Sequence, residues 1–307
     1  MATSVAQEHK ARAAVLEIGR LRRRRWERMV GRWRRSPVGI VGTVMVATVL
    51  FVALAAPILA RHDPTQHHRR ERLLPPVWME GSNPAYILGT DQLGRDIYSR
   101  VLVGSRISVI IGVSAVLVSG TAGAAMGLIA GFYGRRIDTV ISRFIDIFLS
   151  IPFIILVLSV IGVLGPSLLT IILVLGFTGW ASYARVVRGE TLSIREREYV
   201  LAARVIGSSD LRIAFREILP NTFASIIVLA TLNVSSTILA ESALSYLGLG
   251  VQPPTVTWGL MIADGREYLA SAWWMAVFPG LAISYTVLGI IFLGDWLRDV
   301  MDPKLRD

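Results

Sequence analysis

The chain has 307 residues, 53% of them hydrophobic, with a mean hydropathy of +0.56 and its apolar residues gathered in long runs, which excludes an ordinary soluble domain and points to a membrane protein. The net charge of +10 sits at the ends of those runs, where membrane topology and anionic lipid account for it without nucleic acid. There is no cysteine, so disulfides, thiolate chemistry and Cys-based metal sites are excluded.

Residues 1–36 form an Arg-rich tail, with Arg22 to Arg25 in one block and Arg32, Arg34 and Arg35 beside the first apolar run. It reads as a cytoplasmic tail held by anionic headgroups; a nuclear or nucleic-acid signal fits poorly next to a membrane span. Residues 37–60 are the first transmembrane helix. Val38 to Ala60 carries no charge, and at about 1.5 Å per residue it crosses a hydrocarbon core of about 30 Å. Ala53-Leu54-Ala55 imitates a cleavage site, but the run exceeds the roughly 7–15 residues of a signal h-region, so it reads as a retained anchor. Residues 61–100 form a polar extracytoplasmic loop with an interfacial helix. Residues 101–297 form the core domain, with spans predicted at about 103–132, 138–163, 167–187, 222–247 and 274–294 and a polar cytoplasmic loop at 188–220. Residues 298–307 close the chain as a cytoplasmic tail. The fold class is all-α, polytopic, with about six transmembrane helices. Arg clusters at 20–35, 135–136 and 185–216 fall on alternate span ends, so the positive-inside rule places both termini and the 188–220 loop in the cytoplasm. Six arginines in 61–100 (Arg61, Arg69, Arg70, Arg72, Arg95 and Arg100) are a local exception.

Within the outer loop, Thr90 or Asp91 can cap a short helix whose Leu93, Ile97 and Val101 form one apolar stripe. Asp91 with Arg95, and Asp96 with Arg100, are carboxylate-first pairs at i,i+4. These four residues are predicted to brace the mouth of the molecule without touching substrate. His9, His62, His67 and His68 lack a shared helical face and read as solvated, with no metal site. The second to fifth spans are rich in Gly, Ala and Ser; Gly123, Gly127 and Gly131 make two overlapping small-residue motifs that let helices approach closely in lipid. Ile151-Pro152 interrupts the third span and Pro279-Gly280 bends the last. Arg143, one turn before Asp146, is the expected structural partner of that intramembrane carboxylate. Asn233, Thr237 and Glu241 form a polar face on the fifth span and are predicted to line a pathway. Trp273 and Trp274 read as an interfacial belt.

Ile194 to Leu219 reads as two short helices around a turn. Tyr199, Leu201, Ala202, Ala203 and Arg204 favour helix, Gly207 breaks it, and Ser208, Ser209 and Asp210 form an N-cap cluster for the second. Leu211, Phe215 and Ile218 follow at helical spacing, and Pro220 is expected to stop the helix before Asn221 leads into the next span. An amphipathic linker lying on the membrane has the same composition.

The Ala202-Ala203, Gly207 and Leu219-Pro220 spacing resembles the coupling signature of bacterial ABC-transporter permeases, usually summarised as EAA, then G, then LP. Two departures stand out: Leu201 replaces the usual Glu, and Glu217 replaces the usual Ile or His. A second resemblance narrows the family. Leu88 to Arg100, then Gly104-Ser105-Arg106-Ile107-Ser108, Glu241 to Gly250, Trp258-Gly259, Gly265-Arg266 and Gly294 to Asp299 are similar to segments of dipeptide, oligopeptide and nickel permeases of the DppC/OppC type. It covers about residue 30 to the end. The resemblance implies a type I importer permease whose short coupling helix docks on an ATPase subunit. Tyr199, Ala202, Ala203, Arg204, Gly207, Ser208, Ser209, Asp210, Leu211, Leu219 and Pro220 would be the ATPase-coupling residues. It also implies a homologous permease partner, two ATPase subunits carrying ATP and Mg, an extracytoplasmic substrate-binding protein, and a bacterial inner membrane. The cargo implied is di- or oligopeptide, with nickel, glutathione or an oligosaccharide as other cargoes of the same architecture. There is no G-x-x-x-x-G-K-[ST], so any ATP is bound elsewhere, and no catalytic constellation is evident. A gradient-driven transporter would show internal repeats and broken-helix ion sites, and no clear repeat is present. An intramembrane enzyme would need paired carboxylates or histidines at membrane depth.

Overall fold

The computed structural model describes residues 31–301. The Arg22–Arg25 block of the N-terminal tail and the end of the C-terminal tail lie outside the described residues. The regular structure of the described residues is helical, with no named strand; a single isolated bridge joins Thr90 to Asp96. Five helices among them are long and apolar enough to cross a membrane, six if a bent pair counts as one span.

α1, Pro37–Leu59, begins where Ser36 accepts the Gly39 amide at 3.1 Å and Pro37 supplies the fixed φ of a first turn. α2, Ile97–Tyr133, is 37 residues long and is capped by the Asp96 carboxylate, which accepts from the Tyr98 and Ser99 amides. α3, Arg135–Ser150, and α4, Phe153–Leu164, meet at an angle of 86° across Ile151-Pro152, so the predicted third span is two helices rather than a straight one. Pro152 has no amide to donate, and its ring excludes a helical conformation for Ile151. α5, Leu168–Ile194, starts under a Ser167 cap. α6 is the eight-residue helix Glu198–Val205. α7 runs unbroken from Asp210 to Tyr246, through a π-helical segment at Ile213–Ile218. α8, Trp258–Gly265, is capped by Thr257, and α9, Trp274–Met301, closes the described chain.

α2 and α5 lie side by side in the same direction, and glycine sets their distance. A side-chain carbon on Gly127 would stand 2.5 Å from the Ala184 carbonyl oxygen, and one on Gly123 would stand 2.3 Å from that of Trp180. Neither position can hold a larger residue without separating the backbones, which is how helices gain packing where lipid removes the hydrophobic drive. α7 crosses α2 where Ile238 and Val234 cover Gly112, and α9 meets α7 at Gly294. α1 touches the bundle through a narrow seam, with Gly39 against Trp296 and Gly42 against the Phe292–Leu293 backbone, and presents its other sides outward.

Two predicted elements differ. No helix forms at residues 90–96: Leu93 and Gly94 belong to a turn in which Gly94 has a positive φ, and the helix starts only at Ile97. Asp91 is spent on that turn, accepting the Leu93 and Arg95 amides at 2.8 and 2.9 Å, a local alternative that competes with helix. Pro220 does not stop a helix; it lies in the first turn of the α-helical part of α7. The π segment just before it shifts the register, with the Leu219 amide donating to Ala214 five residues back, and absorbs the amide that proline lacks.

Candidate functional site

The loop from Arg195 to Asn221 is anchored from beneath and open on top. Val200, Ile213, Ala214 and Ile218 are buried against Leu128 and Phe132 of α2 and Val187 and Ile194 of α5. The Arg195 guanidinium donates to the Gly131 carbonyl at 2.8 Å, and the Arg204 guanidinium stands 6.0 Å from the Phe132 ring centroid. Asn221 joins the two ends of the loop, donating to the Tyr199 hydroxyl at 3.2 Å and to the Glu217 carbonyl at 2.6 Å. The expected stripe of Leu211, Phe215 and Ile218 is split, with Ile218 buried and the other two outward. The π segment changes the repeat, so the inward residues become Ile213, Ala214 and Ile218.

The turn between α6 and α7 has a Schellman geometry. Gly207 has φ +84°, its amide donates to Arg204, and the Ser208 amide donates to Ala203. Ser209 holds the extended conformation of a helix N-cap, but its hydroxyl makes no capping bond, unlike the predicted use of the Ser208-Ser209-Asp210 cluster. Around this turn the exposure is high for apolar side chains: Val205 is 87% exposed, Ile206 80%, Leu211 67% and Phe215 58%. Arg204, Asp210, Arg212 and Arg216 border them, also exposed, as is Ala202, with Ala203 half-buried. An apolar patch with a polar rim is the anatomy of a protein interaction surface.

At the opposite end of the bundle, four charged side chains are gathered in one place. Arg95 pairs with Asp91 at 2.6 Å and with Asp264 of α8 at 3.1 Å, and Arg100 lies 3.6 Å from Asp91 and 3.3 Å from Asp264. Asp91, Arg95 and Arg100 are buried. Arg100 thus pairs across the cluster and not with Asp96 as the i,i+4 spacing suggests. Asp96 is committed to its cap, to the Ser99 hydroxyl at 2.6 Å and to His62 at 3.2 Å. His62 is therefore a partner of Asp96 and not a freely solvated ring. Nearby, burial and a hydrogen bond to Glu71 push the Tyr86 hydroxyl up to about 12. Trp274 is also internal: its indole donates to the Thr90 carbonyl at 3.0 Å, so it ties α9 to the cluster rather than sitting in an interfacial belt. Sequence reasoning missed Asp264. Its signal was available, as the one charged residue within the apolar run from Trp258 to Ala263 and Gly265.

Two further expectations change. Asp146 pairs with Arg185 of α5 at 3.1 Å and not with Arg143. Glu241 is 1% exposed, accepts from the Ser245 hydroxyl at 2.8 Å, and faces Gly259 of α8, so it is sealed inside the chain and does not line an open pathway. Asn233 and Thr237, about two turns and one turn earlier, are half-buried. Among the described residues no group of three or more His, Asp or Glu side chains is placed to hold a metal ion.

Comparison with known proteins places this architecture. Residues 123–307 match the profile of the binding-protein-dependent transport system inner membrane component, and residues 24–76 match the N-terminal TM domain of oligopeptide transport permease C. The chain belongs to this family of transport-system membrane components. Within it, the chain is a dipeptide/oligopeptide-type ABC-transporter permease. It is 42% identical over 266 residues to the di/tripeptide transport system permease protein DppC of Pseudomonas aeruginosa, spanning 87% of this chain and 88% of that one. Identity is again 42%, over 274 residues, to the dipeptide transport system permease protein DppC of Haemophilus influenzae, spanning 89% and 93% of the two chains. It is 38% over 277 residues to the probable D,D-dipeptide transport system permease protein DdpC of Escherichia coli, spanning 90% and 91%.

Proposed function

We propose that this chain is one of two homologous permease subunits of a bacterial inner-membrane importer for di- and oligopeptides, driven by two ATPase subunits that bind ATP and Mg and supplied by an extracytoplasmic binding protein. The chain itself is a non-catalytic subunit that forms half of the pathway. The observation that carries the reading is the exposed apolar turn at Val205, Ile206, Leu211 and Phe215, held on a rigid base. Tyr199, Ala202, Ala203, Arg204, Gly207, Ser208, Ser209, Asp210, Leu211, Leu219 and Pro220 form or support this ATPase-docking segment. Closure of the ATPases pushes on α6 and the start of α7, and the buried contacts to α2 and α5 pass that displacement to the spans. Asp91, Arg95, Asp96 and Arg100 brace the outer mouth.

Orientation follows charge. Arg135 and Arg136 share an end with the 195–221 loop, where the Arg195 guanidinium reaches the Gly131 carbonyl, and the positive-inside rule supports the cytoplasm for that end and, in this reading, for both termini. The outer arginines that count against this assignment are largely accounted for internally. Arg95 and Arg100 are ion-paired, Arg72 donates to the Gln92 carbonyl, and Arg61 stands over the Tyr98 ring.

The test is ATP-driven uptake of a labelled dipeptide into vesicles carrying the complete complex. Accumulation that requires this chain, ATP and the binding protein supports the reading. Accumulation driven by an ion gradient without ATP overturns it.

A further inference from the structure

α3 is divided lengthwise into three arcs. Ile141 and Ile145 are buried against Trp180, Ala181 and Ala184 of α5 and Ala130 of α2. On one side of this buried strip lie Ile137, Val140, Phe144 and Ile147, all exposed and apolar. On the other lie Arg136, Thr139, Arg143, Asp146 and Ser150, all exposed and polar. The spacing of this third set is helical and continuous over the whole of α3.

The polar arc does not lie flat on a membrane surface. α3 runs antiparallel along α5: Asp138 pairs with Arg188, Asp146 with Arg185, and Phe148 packs on Phe177 and Trp180. At about 1.5 Å per residue the arc therefore climbs roughly 20 Å alongside a spanning helix, most of the way across a core of about 30 Å. A charge facing hydrocarbon at that depth costs about 2.5–3.5 kcal/mol or more, so Arg143, Asp146 and Arg185 face water or protein. The Arg185–Asp146 pair is 58% exposed on both sides, and exposed pairs contribute about 0–1 kcal/mol, so the fold gives little reason for these charges. The arc opens at the Gly134 turn and ends at the 86° bend, beyond which α4 is almost wholly apolar.

We infer that Arg143, Asp146 and Arg185 line the cytoplasmic half of the translocation path and contact the charged termini of the peptide in transit. The two guanidinium groups suit a terminal carboxylate, and the Asp146 carboxylate suits a terminal ammonium. The inference rests on the importer reading and adds to it a recognition surface inside the membrane. It replaces Glu241, which is sealed, with side chains that are open.

The native chain has no cysteine, so single cysteines report cleanly. The experiment uses the full complex in inside-out vesicles, with Thr139→Cys, Arg143→Cys and Asp146→Cys on the polar arc and Val140→Cys and Ile147→Cys on the apolar one. Each is labelled with a charged, membrane-impermeant thiol reagent, with and without alanyl-alanine and ATP. The polar-arc thiols are expected to react faster by on the order of tenfold or more, because apolar surroundings suppress the reacting thiolate. Alanyl-alanine with ATP is expected to slow labelling at positions 143 and 146. Equal reactivity of the two arcs, or a silent polar arc covered by the partner permease, overturns the inference. So does a reactive polar arc that the dipeptide never protects. Val140→Cys and Ile147→Cys complexes that retain uptake control for misfolding. Failure of the wild-type complex to import the dipeptide is the separate failure of the importer reading, because the contrast between arcs is read without cargo.

Discussion

The two ends of this bundle treat polar and apolar side chains in opposite ways. At the outer end, charged groups are drawn together and ion-paired: Asp91, Arg95, Arg100 and Asp264 pair with one another, and Thr90, Trp258 and Trp274 tie the surrounding segments together by hydrogen bonds. At the loop end, large apolar groups are pushed outside while their supports are buried. One end is largely paired within the chain; the other leaves large apolar side chains uncovered. On the proposed reading the difference suits a lever, with a braced fulcrum outside and a contact point inside.

The contrast is broken most severely at the outer cluster. Asp91→Ala leaves Arg95 and Arg100 buried with only the partly exposed Asp264 between them, and is expected to cost about 3–5 kcal/mol, seen as a large fall in thermal midpoint in detergent. Asp264→Ala keeps Asp91 in place, so a smaller loss of roughly 1–3 kcal/mol is expected. Equal effects of the two substitutions would show that the cluster is not organised around Asp91.

Gly207→Ala sharpens the comparison at the other end. A side-chain carbon there meets nothing within 4 Å, so packing is untouched and only the φ of +84° is penalised. The expected strain is about 1–2 kcal/mol, confined to the turn. Peptide uptake should fall while the thermal midpoint barely moves, and an unchanged uptake would separate the turn geometry from coupling.

The smallest effect concerns Tyr86. Its hydroxyl is raised from 10.0 to about 12 by burial and by Glu71, so the folded state holds this proton more tightly than the unfolded one. The stabilisation is complete below pH 10 and is lost as pH rises toward 12. Tyr86→Phe removes that alkaline loss and costs about 1 kcal/mol at neutral pH. A stability profile of the variant identical to wild type above pH 10 would contradict it.

Much of this was legible in the sequence because lipid imposes simple rules. Four of the five further predicted spans overlap long apolar helices, since length and apolarity decide them, whereas the third is two helices bent by 86° at Ile151-Pro152; Asp91–Arg95 was visible as a pair at i,i+4. What the sequence concealed was competition between local and distant partners. Asp96 and Arg100 have helical spacing, yet Asp96 is taken by the cap, Ser99 and His62, and Arg100 by Asp264, 164 residues away. Asp146 likewise passed over its neighbour Arg143 for Arg185 on another helix. Pro220 reads as a stop because the ordinary register cannot tolerate it, and only a π segment, which has no clear sequence signature, lets the helix continue. Glu241 looked like a pathway residue because a lone carboxylate in a span suggests water, whereas Ser245 and the close approach of Gly259 enclose it.

The most direct test of the account is co-purification of the ATPase subunits from native membrane with wild type and with Val205→Glu/Ile206→Glu. Both side chains are almost fully outward, so the double variant is expected to keep its thermal midpoint, with a stability change near 0.5 kcal/mol per site. The account predicts that ATPase subunits accompany the wild type and are lost from the folded variant. ATPase retained by the variant, or absent from the wild type in mild detergent, would contradict the assignment of this turn as the docking surface.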